Sequence, residues 1–468
     1  MSERKNDVAV IGLGVMGGNL ARNFASRGLA VGGYSRTFET AKRFGDEHPD
    51  AKLDIVPTLK ELVARLERPR RLVVLVNAGK PVDDVIDQLD PLLESGDLVI
   101  DAGNSLYTDT DRRAERAKGR PWRFVGMGVS GGSEGALKGP SLMPGGELDA
   151  WERLRPVLEP IAARSSAGLC VTYCGRGSAG HFVKMVHNGI EYGDMQLIAE
   201  TALLLRRGLG LDGAQVADTF ARWNTGDLSS FLIEITAEIF RVKDVKTGGL
   251  LVDSVLDKAG QKGTGKWTVI AAAELGIAIP TISTAVDARI LSSQKSLREK
   301  AEYAHQPARA KLSGVSVEDL ANALYASKVA SYTQGFQLLR AASTAFDYGT
   351  TLSEIARIWT AGCIIRAAFL ERIQAAFAKS PEPELLALAP EFVSDLSRRL
   401  PSWRRVVAAA SQAGLAIPGF ATSLAWYDTL TTGTGSASVI QAQRDSFGSH
   451  TYERVDHPGV AVHSQWKP

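Results

Sequence analysis

A chain of 468 residues exceeds the size at which one hydrophobic core stops growing, so two or three domains are expected. Apolar residues at 44%, charged residues at 23% and the absence of any low-complexity tract exclude a disordered chain. The net charge is +2, and the densest cationic runs, 68–71 and 112–120, lack interleaved aromatics and read as solvated surface, so nucleic-acid binding is not expected.

The N-terminus carries charges at Glu3, Arg4, Lys5 and Asp7, and the apolar stretch after them is broken by glycines and too short for a signal segment. From Asp7 to about Tyr173, short runs rich in valine and isoleucine alternate with amphipathic stretches, which predicts strand-helix units and a parallel sheet. Strands are expected at 8–11, 30–33, 72–76, 98–101, 124–126 and 169–173, with helices at 17–27, 37–44, 59–66, 82–89 and 108–118. The fold class is an α/β Rossmann-like dinucleotide-binding domain over 1–178, followed by a large all-α domain and a C-terminal tail. A ligand of such a sheet sits at the carboxyl ends of its strands.

The first unit, VAVIGLGVMGGNLARNF, puts Gly12, Gly14 and Gly17 directly after a strand and at a helix start, with Leu13, Val15 and Met16 completing the loop. The first glycine permits a tight turn, the second lets backbone approach a pyrophosphate, and the third lets the helix pack closely. The helix N-terminus favours the negative charge. After the second strand, Ser35, Arg36 and Thr37 stand where an acidic residue would accept the ribose hydroxyls of NAD. A guanidinium there suits a 2′-phosphate, and the pattern points to NADP. Two more strand ends, DAGNS with Asn104 and GVSGG with Ser130, Gly131 and Gly132, offer backbone amides for a carboxylate.

Three cysteines cannot form a disulfide framework and point to a reducing compartment, by default the cytoplasm. Cys170 and Cys174 stand four apart without a second Cys/His pair, so buried thiols and no metal are expected.

After Gly180, alanine, leucine, glutamate and arginine recur at helical spacing, which predicts the all-α domain, 179–431. The stretches 195–207 and 321–339 are apolar over wide faces, as burial against other helices or a partner subunit requires. The segment GHFVKMVHNGIEY should be helical and puts Lys184, His187, Asn188 and Glu191 at i, i+3, i+4 and i+7, on one face. A cation, an imidazole, an amide and a carboxylate among apolar Met185, Val186 and Ile190 suit proton transfer on a polar ligand. A solvated face is the plainer reading of the same residue types.

The run GQKGTGKW resembles a phosphate-binding P-loop, but Trp267 replaces the Ser/Thr that holds magnesium and no buried strand precedes it, which excludes an ATPase. Lys262 and Thr264 still suit a phosphate, and Arg289 and Arg444 are further candidates, although spacing does not show that they converge. Beyond Thr431 the run TGTGS breaks the helix, and the tail, 432–468, holds too few apolar side chains to fold alone and must dock onto something. No window reaches about eighteen apolar residues, so no membrane span is expected.

Taken together, GLGVMGGNL, DAGNSLY, VSGG, GPSLMPGG, GHFVKMVHNGIEYGDMQL, SFLIEIT, GQKGTGKWT, ALYASK, AGCIIRAAFL and IQAQRDSFGSHTYER resemble the decarboxylating 6-phosphogluconate dehydrogenase family over nearly the whole chain. The resemblance implies a homodimer whose tails enter the partner subunits. It also implies oxidative decarboxylation of 6-phosphogluconate to ribulose 5-phosphate and CO2 with reduction of NADP, within a pentose phosphate pathway or a gluconate operon. On this resemblance Lys184 is the general base and Glu191 the acid that protonates C1. Asn104, Ser130, Gly131, Gly132, His187 and Asn188 surround the carboxylate and hydroxyls, while Tyr192, Lys262, Thr264 and Arg289 hold the phosphate. Arg444 and His450 complete the site of the other subunit. The cofactor lies along Gly12 to Gly17, Ser35, Arg36, Thr37, Val76, Asn77, Ala78 and Asn104.

Three positions depart from the family pattern: Asn77 where relatives often carry lysine, Ser133 where glutamate is usual, and Leu106 for a commonly acidic residue. Competing readings are an NAD-preferring form of the same enzyme and a β-hydroxyacid dehydrogenase acting on a non-phosphorylated acid. Lys262 and Arg289 argue against the second. A cofactor-binding protein without catalysis is opposed by the presence of both Lys184 and Glu191.

Overall fold

The computed structural model describes residues 5–466; Glu3, Arg4 and the last two residues of the tail lie outside the described residues. Seven strands, β1 (Val8–Ile11), β2 (Val31–Tyr34), β3 (Asp54–Ile55), β4 (Arg71–Val74), β5 (Leu98–Asp101), β6 (Arg123–Ser130) and β7 (Ser141–Pro144), form one sheet. Their order is β3-β2-β1-β4-β5-β6-β7, the doubly wound arrangement that the alternating pattern predicts. Every pair is parallel except β6 with β7. Strand β1 shows why it is apolar throughout. Val8 and Val10 pack with Leu20 and Phe24 on one face, whereas Ala9 and Ile11 pack with Leu62, Val82 and Ile86 on the other. Successive side chains of a strand alternate, so a sheet covered on both sides needs both sets apolar.

Several expectations are corrected. The apolar run 169–173 is not a strand of this sheet: Gly168–Leu169 pairs antiparallel with Arg164–Ser165, and Val171 makes only an isolated bridge to Leu142. Burial alone supplies the same apolar pattern. Two strands of this sheet were not expected. β3 has two residues, too few for a period, and β7 ends on Pro144 at the sheet edge, where a proline is tolerated. The cationic runs are not wholly solvated either. Arg70 is buried with Nη1 2.8 Å from Asp97, and Arg113 is buried with Nε 2.9 Å from Asp83. A charge pattern cannot reveal a partner about thirty residues away.

From Ala179 the chain is helical. The helix Ala179–Leu203 has 25 residues, is buried on most of its surface and continues into a π-helical turn, Leu204–Gly208. It lies across β6 and β7 and against the helices Thr264–Glu274, Pro280–Ser293 and Val317–Ala345. Glycine seats its first turn: a Cβ at Gly180 would stand 2.3 Å from the carbonyl oxygens of both Gly126 and Met143, and one at Gly128 would meet Lys184 Cβ at 2.4 Å. Gly180→Ala is therefore expected to destabilise the protein by about 1–3 kcal/mol, since backbone rather than a flexible side chain must move. A urea unfolding midpoint equal to that of the parent would contradict this.

The stretch 321–339 is enclosed by other helices, but 195–207 leaves Met195 at the surface. It lines an apolar groove of about 750 Å³ with Leu232, Ile239 and Phe240.

The TGTGS run follows the helix Pro418–Leu430, and the tail then builds local structure: a helix, Ala437–Gly448, and a hairpin of Tyr452–Arg454 with His457–Val462. Its centre is polar. Asp445 Oδ1 accepts hydrogen bonds from Thr451 N at 2.9 Å and His463 Nδ1 at 2.8 Å. Its Oδ2 accepts from Ser464 N at 3.1 Å and Trp466 Nε1 at 2.7 Å. Burial would raise this carboxyl, but these donors hold it well below the usual carboxylate range. Hydrogen bonds around one carboxylate thus organise the tail locally, while most of its side chains stay exposed.

Candidate active site

The glycine loop joins β1 to the helix Val15–Ser26. Gly12 has φ +101°, and a Cβ there would lie 2.4 Å from the Leu75 carbonyl oxygen. One at Gly17 would lie 1.9 Å from the Gly12 carbonyl oxygen, whereas nothing stands within 4 Å of the Gly14 position. Two glycines thus permit the turn, and the third leaves an open approach to backbone at a helix N-terminus, which fits a pyrophosphate. Leu13 and Met16 turn their side chains into the core, so only their backbone faces the approach, while Val15 is exposed.

Leu13 N donates to Ser35 Oγ at 3.0 Å, which ties the loop to the end of β2. Arg36 and Thr37 follow, both exposed. Val76, Asn77 and Ala78 follow β4, and exposed Asn104 follows β5. All of them stand at the carboxyl ends of four adjacent strands, flanking the point between β1 and β4 where the chain reverses direction across the sheet.

A clamp that the sequence did not reveal fixes two of these turns. Asp101 accepts from Gly103 N at 3.1 Å, Ser105 Oγ at 2.6 Å and Arg113 Nη1 at 3.2 Å. Arg113 Nη2 also donates to the Gly79 carbonyl oxygen at 2.9 Å. One buried guanidinium therefore holds both the Asn104 turn and the loop after Ala78.

The helix Ala179–Leu203 carries the polar stripe, and the stripe is not a solvated face. Lys184 is 7% exposed and His187 0%. Lys184 Nζ donates to Asn188 Oδ1 at 2.7 Å, and Asn188 Nδ2 donates to Thr264 Oγ1 at 3.3 Å. His187 Nε2 lies 3.1 Å from Ser130 Oγ, and its Nδ1 lies 3.0 Å from Asn188 Oδ1. The consistent assignment has Nδ1–H donating to Asn188 and Nε2 accepting from the Ser130 hydroxyl, so the imidazole is neutral. Its ring packs edge-on to Trp359, with centroids 5.5 Å apart.

Burial pushes the His187 imidazole well below its ordinary range, helped by the Lys184 charge. Burial likewise pushes Lys184 down, against the attraction of Glu191 and Cys363. It pushes the Glu191 carboxyl up, against the pull of Lys184 and Arg289. The arrangement holds a lysine inclined to give up its proton near a carboxyl inclined to keep one.

Gly131 and Gly132, with φ of +117° and +63°, carry the chain from β6 into the helix Gly132–Lys138. A Cβ at Gly131 would meet the Gly362 carbonyl oxygen at 2.6 Å. On the next turn of the stripe, the Arg289 guanidinium lies 3.5 Å above the Tyr192 ring, and that ring packs where a Cβ on Gly265 would stand 2.6 Å away. Thr264, Tyr192 and Arg289 thus gather at one end of the Lys184 cluster, and exposed Lys262 lies two residues before Thr264. Arg444 and His450 are not part of this gathering: Arg444 donates to Gln441 at 2.9 Å, and His450 faces Phe447 within the tail. Trp359, which packs on His187, was missed because nothing local marks it, and Cys363, beside Lys184, lies in the AGCIIRAAFL run but was not singled out within it. Among the described residues no helix is long and apolar enough to cross a membrane, and no group of three or more His, Cys, Asp or Glu is placed to hold a metal ion.

A glycine cradle on a doubly wound sheet, in a chain whose helical part sets a buried lysine against β6 of that sheet, defines a dinucleotide-dependent oxidoreductase. Family models match both parts: the NAD binding domain of 6-phosphogluconate dehydrogenase over residues 7–175 and the 6-phosphogluconate dehydrogenase C-terminal domain over 180–466. The chain is 51% identical over 465 residues to the decarboxylating 6-phosphogluconate dehydrogenase of Synechococcus elongatus, covering 98% of each. It is 47% identical over 466 residues to that of Shigella flexneri, covering 99% of each. The structure matches Plasmodium falciparum 6-phosphogluconate dehydrogenase with a TM-score of 0.95 and 43% identity, over 98% of this chain and 100% of that one. That protein is known in its apo form and in complex with its cofactor NADP+ and its substrate 6-phosphogluconate. The chain belongs to the 6-phosphogluconate dehydrogenase family.

Proposed function

We propose that this protein oxidises 6-phosphogluconate at C3 and decarboxylates the product, releasing ribulose 5-phosphate and CO2. The observation that carries the reading is Lys184, buried and hydrogen-bonded to Asn188 beside a neutral His187. The loop of Gly12, Gly14 and Gly17 and the Arg36 guanidinium would hold NADP, which would supply the hydride acceptor for C3. Lys184 takes the proton of the 3-hydroxyl as the C3–H bond breaks, and the alcohol becomes a ketone. The ammonium so formed donates to the C3 carbonyl oxygen, which draws the electron pair of the C1–C2 bond as CO2 leaves. Glu191 then gives its proton to C1 of the enediol while Lys184 takes back the proton of the adjacent enol hydroxyl, which leaves the ketone of ribulose 5-phosphate.

Asn104, Ser130, Gly131, Gly132, His187 and Asn188 hold the carboxylate and hydroxyls in this reading, and Tyr192, Lys262, Thr264 and Arg289 hold the phosphate. Two subunits form a dimer, with Arg444 and His450 completing the site of the partner. The apolar groove at Met195 and the exposed Val255 and Leu256 support a covered helical face.

The test is absorbance of reduced nicotinamide with 6-phosphogluconate, coupled to measurement of CO2. Absence of both with NADP and NAD would overturn the proposal. Arg36→Ala is expected to raise KM for NADP by about tenfold or more, the worth of a charge-assisted hydrogen bond, with little change for NAD. Equal losses with the two cofactors would remove Arg36 from the 2′-phosphate.

A further inference from the structure

The helix Tyr107–Ala117 touches both halves of the candidate site. Through Arg113 it holds the Asn104 turn and the loop after Ala78. Its other buried contacts run to the helix that carries Lys184. Tyr107 packs edge-on to Phe182, with ring centroids 5.0 Å apart. Thr110 Oγ1 lies 2.6 Å from His181 Nδ1, and both side chains are buried. His181 precedes Lys184 by three residues, so the two lie one turn apart on the same side of their helix.

Strand β6 makes room for the pair: a Cβ at Gly126 would stand 2.6 Å from Thr110 Cγ2 and 2.9 Å from His181 Nδ1. The neighbours fix where the protons go. Thr110 Oγ1 also lies 3.3 Å from the Leu106 carbonyl oxygen, which can only accept, and His181 Nε2 is buried without a hydrogen-bond partner. If the single hydroxyl proton went to His181, Nε2 would carry a buried N–H with no acceptor, and the Leu106 contact would go unused. With Nδ1–H donating to Thr110 Oγ1, that proton is free for Leu106 and both contacts are made. Burial pushes the imidazole below its ordinary range, in keeping with a neutral ring. Leu106 stands two residues after Asn104, at the start of the helix. A chain of two hydrogen bonds therefore runs from the Lys184 helix to the Asn104 turn.

An apolar pair would fill this space without a buried unpartnered nitrogen, so the worth of the contact lies in its direction rather than in stability. We propose that Thr110 and His181 are positioning residues for hydride transfer: their hydrogen bond fixes the rotation and height of the Lys184 helix against the Asn104 turn, and so the place of C3 relative to the cofactor. This rests on the reading of Lys184 as the base at C3. One helix then sets both sides of the reaction, the cofactor turns through Arg113 and the base through Thr110. A misplacement of about 1 Å between reacting groups costs up to about a hundredfold in rate.

The test is Thr110→Val, which keeps the shape and removes the hydroxyl. kcat should fall by about tenfold or more while KM for 6-phosphogluconate stays within about twofold. Kd for NADP, read from tryptophan fluorescence without substrate, should be unchanged, because Arg113 still holds the turns. With 6-phosphogluconate deuterated at C3, the isotope effect on kcat should be at least that of the parent, since the slowed step breaks the C3–H bond. Thr110→Ser keeps the hydroxyl and should restore kcat to within about threefold of the parent. A kcat of Thr110→Val within about twofold of the parent overturns the inference. So does a smaller isotope effect, a loss that Thr110→Ser shares, or a fall in NADP affinity as large as the fall in kcat. Should Thr110→Val fail to fold, Thr110→Cys puts a weakly hydrogen-bonding thiol in the same space and reads the same rates. If the parent forms neither reduced nicotinamide nor CO2, the proposed function falls and the inference with it; if the parent is active and Thr110→Val equally so, only the inference falls.

Discussion

Lys184→Met is expected to lower kcat by about 10³-fold or more while leaving the fold as stable as before, or more so. The size of the loss follows from two duties on one nitrogen, proton removal from the hydroxyl and donation to the ketone oxygen. The stability follows from burial, which lowers the Lys184 pKa below its ordinary value of 10.5. Between that lowered value and 10.5 the unfolded chain binds a proton that the folded chain does not, so stability rises with pH across the window. Below the window the folded protein carries the full cost of a buried ammonium. Methionine has nearly the same length and no charge, so the urea midpoint at pH 7 should be unchanged or higher, and its rise toward pH 10 should flatten. Steady-state rates and unfolding curves on one preparation decide the matter. Activity within about tenfold of the parent would remove Lys184 from the base role.

Histidine is ordinarily the first candidate for a base near neutrality. Here His187 has both ring nitrogens engaged and is pushed far below its ordinary range, first by burial and then by Lys184. On the proposed mechanism the acid limb of the rate profile is therefore expected to follow the lysine.

What was legible in the sequence is what depends on local spacing. Gly12, Gly14 and Gly17 follow a strand, and Lys184, His187, Asn188 and Glu191 recur at a helical period, so both features are readable without knowledge of the fold. What stayed hidden depends on contacts far apart in the chain. Arg113 looks like one more surface cation until Asp83 and Asp101, 30 and 12 residues away, bury it. Thr110 and His181 are separated by 71 residues. The local structure of the tail was not expected because the count was of apolar side chains, whereas its organiser is Asp445, whose partners His463 and Trp466 lie 18 and 21 residues on.

The departures from the family pattern have local accounts in two cases. Leu106 precedes the helix Tyr107–Ala117 and packs against the large helical core, and the Ser133 carbonyl oxygen accepts from Asn19 Nδ2 at 2.8 Å, a contact that needs no particular side chain. Nothing in the structure explains Asn77, which is exposed.

Mixing two inactive variants should restore activity if tails are exchanged. Arg444 is exposed, and its tail is organised around Asp445, independently of the Lys184 cluster. Each site of an exchanged dimer therefore needs Lys184 from one chain and Arg444 from the other. Lys184→Met and Arg444→Ala should each be nearly inactive alone. When both chains are expressed together at equal levels, about half of the dimers are hybrids, and each hybrid has one complete site of two, so about a quarter of the parent activity should return. The complete site joins the lysine of the Arg444→Ala chain to the tail of the Lys184→Met chain. If each tail served its own subunit, both sites of every hybrid would lack one group and no activity would return. A recovery near zero, with hybrids verified by differential tags, would therefore assign each tail to its own Lys184 and rule out exchange.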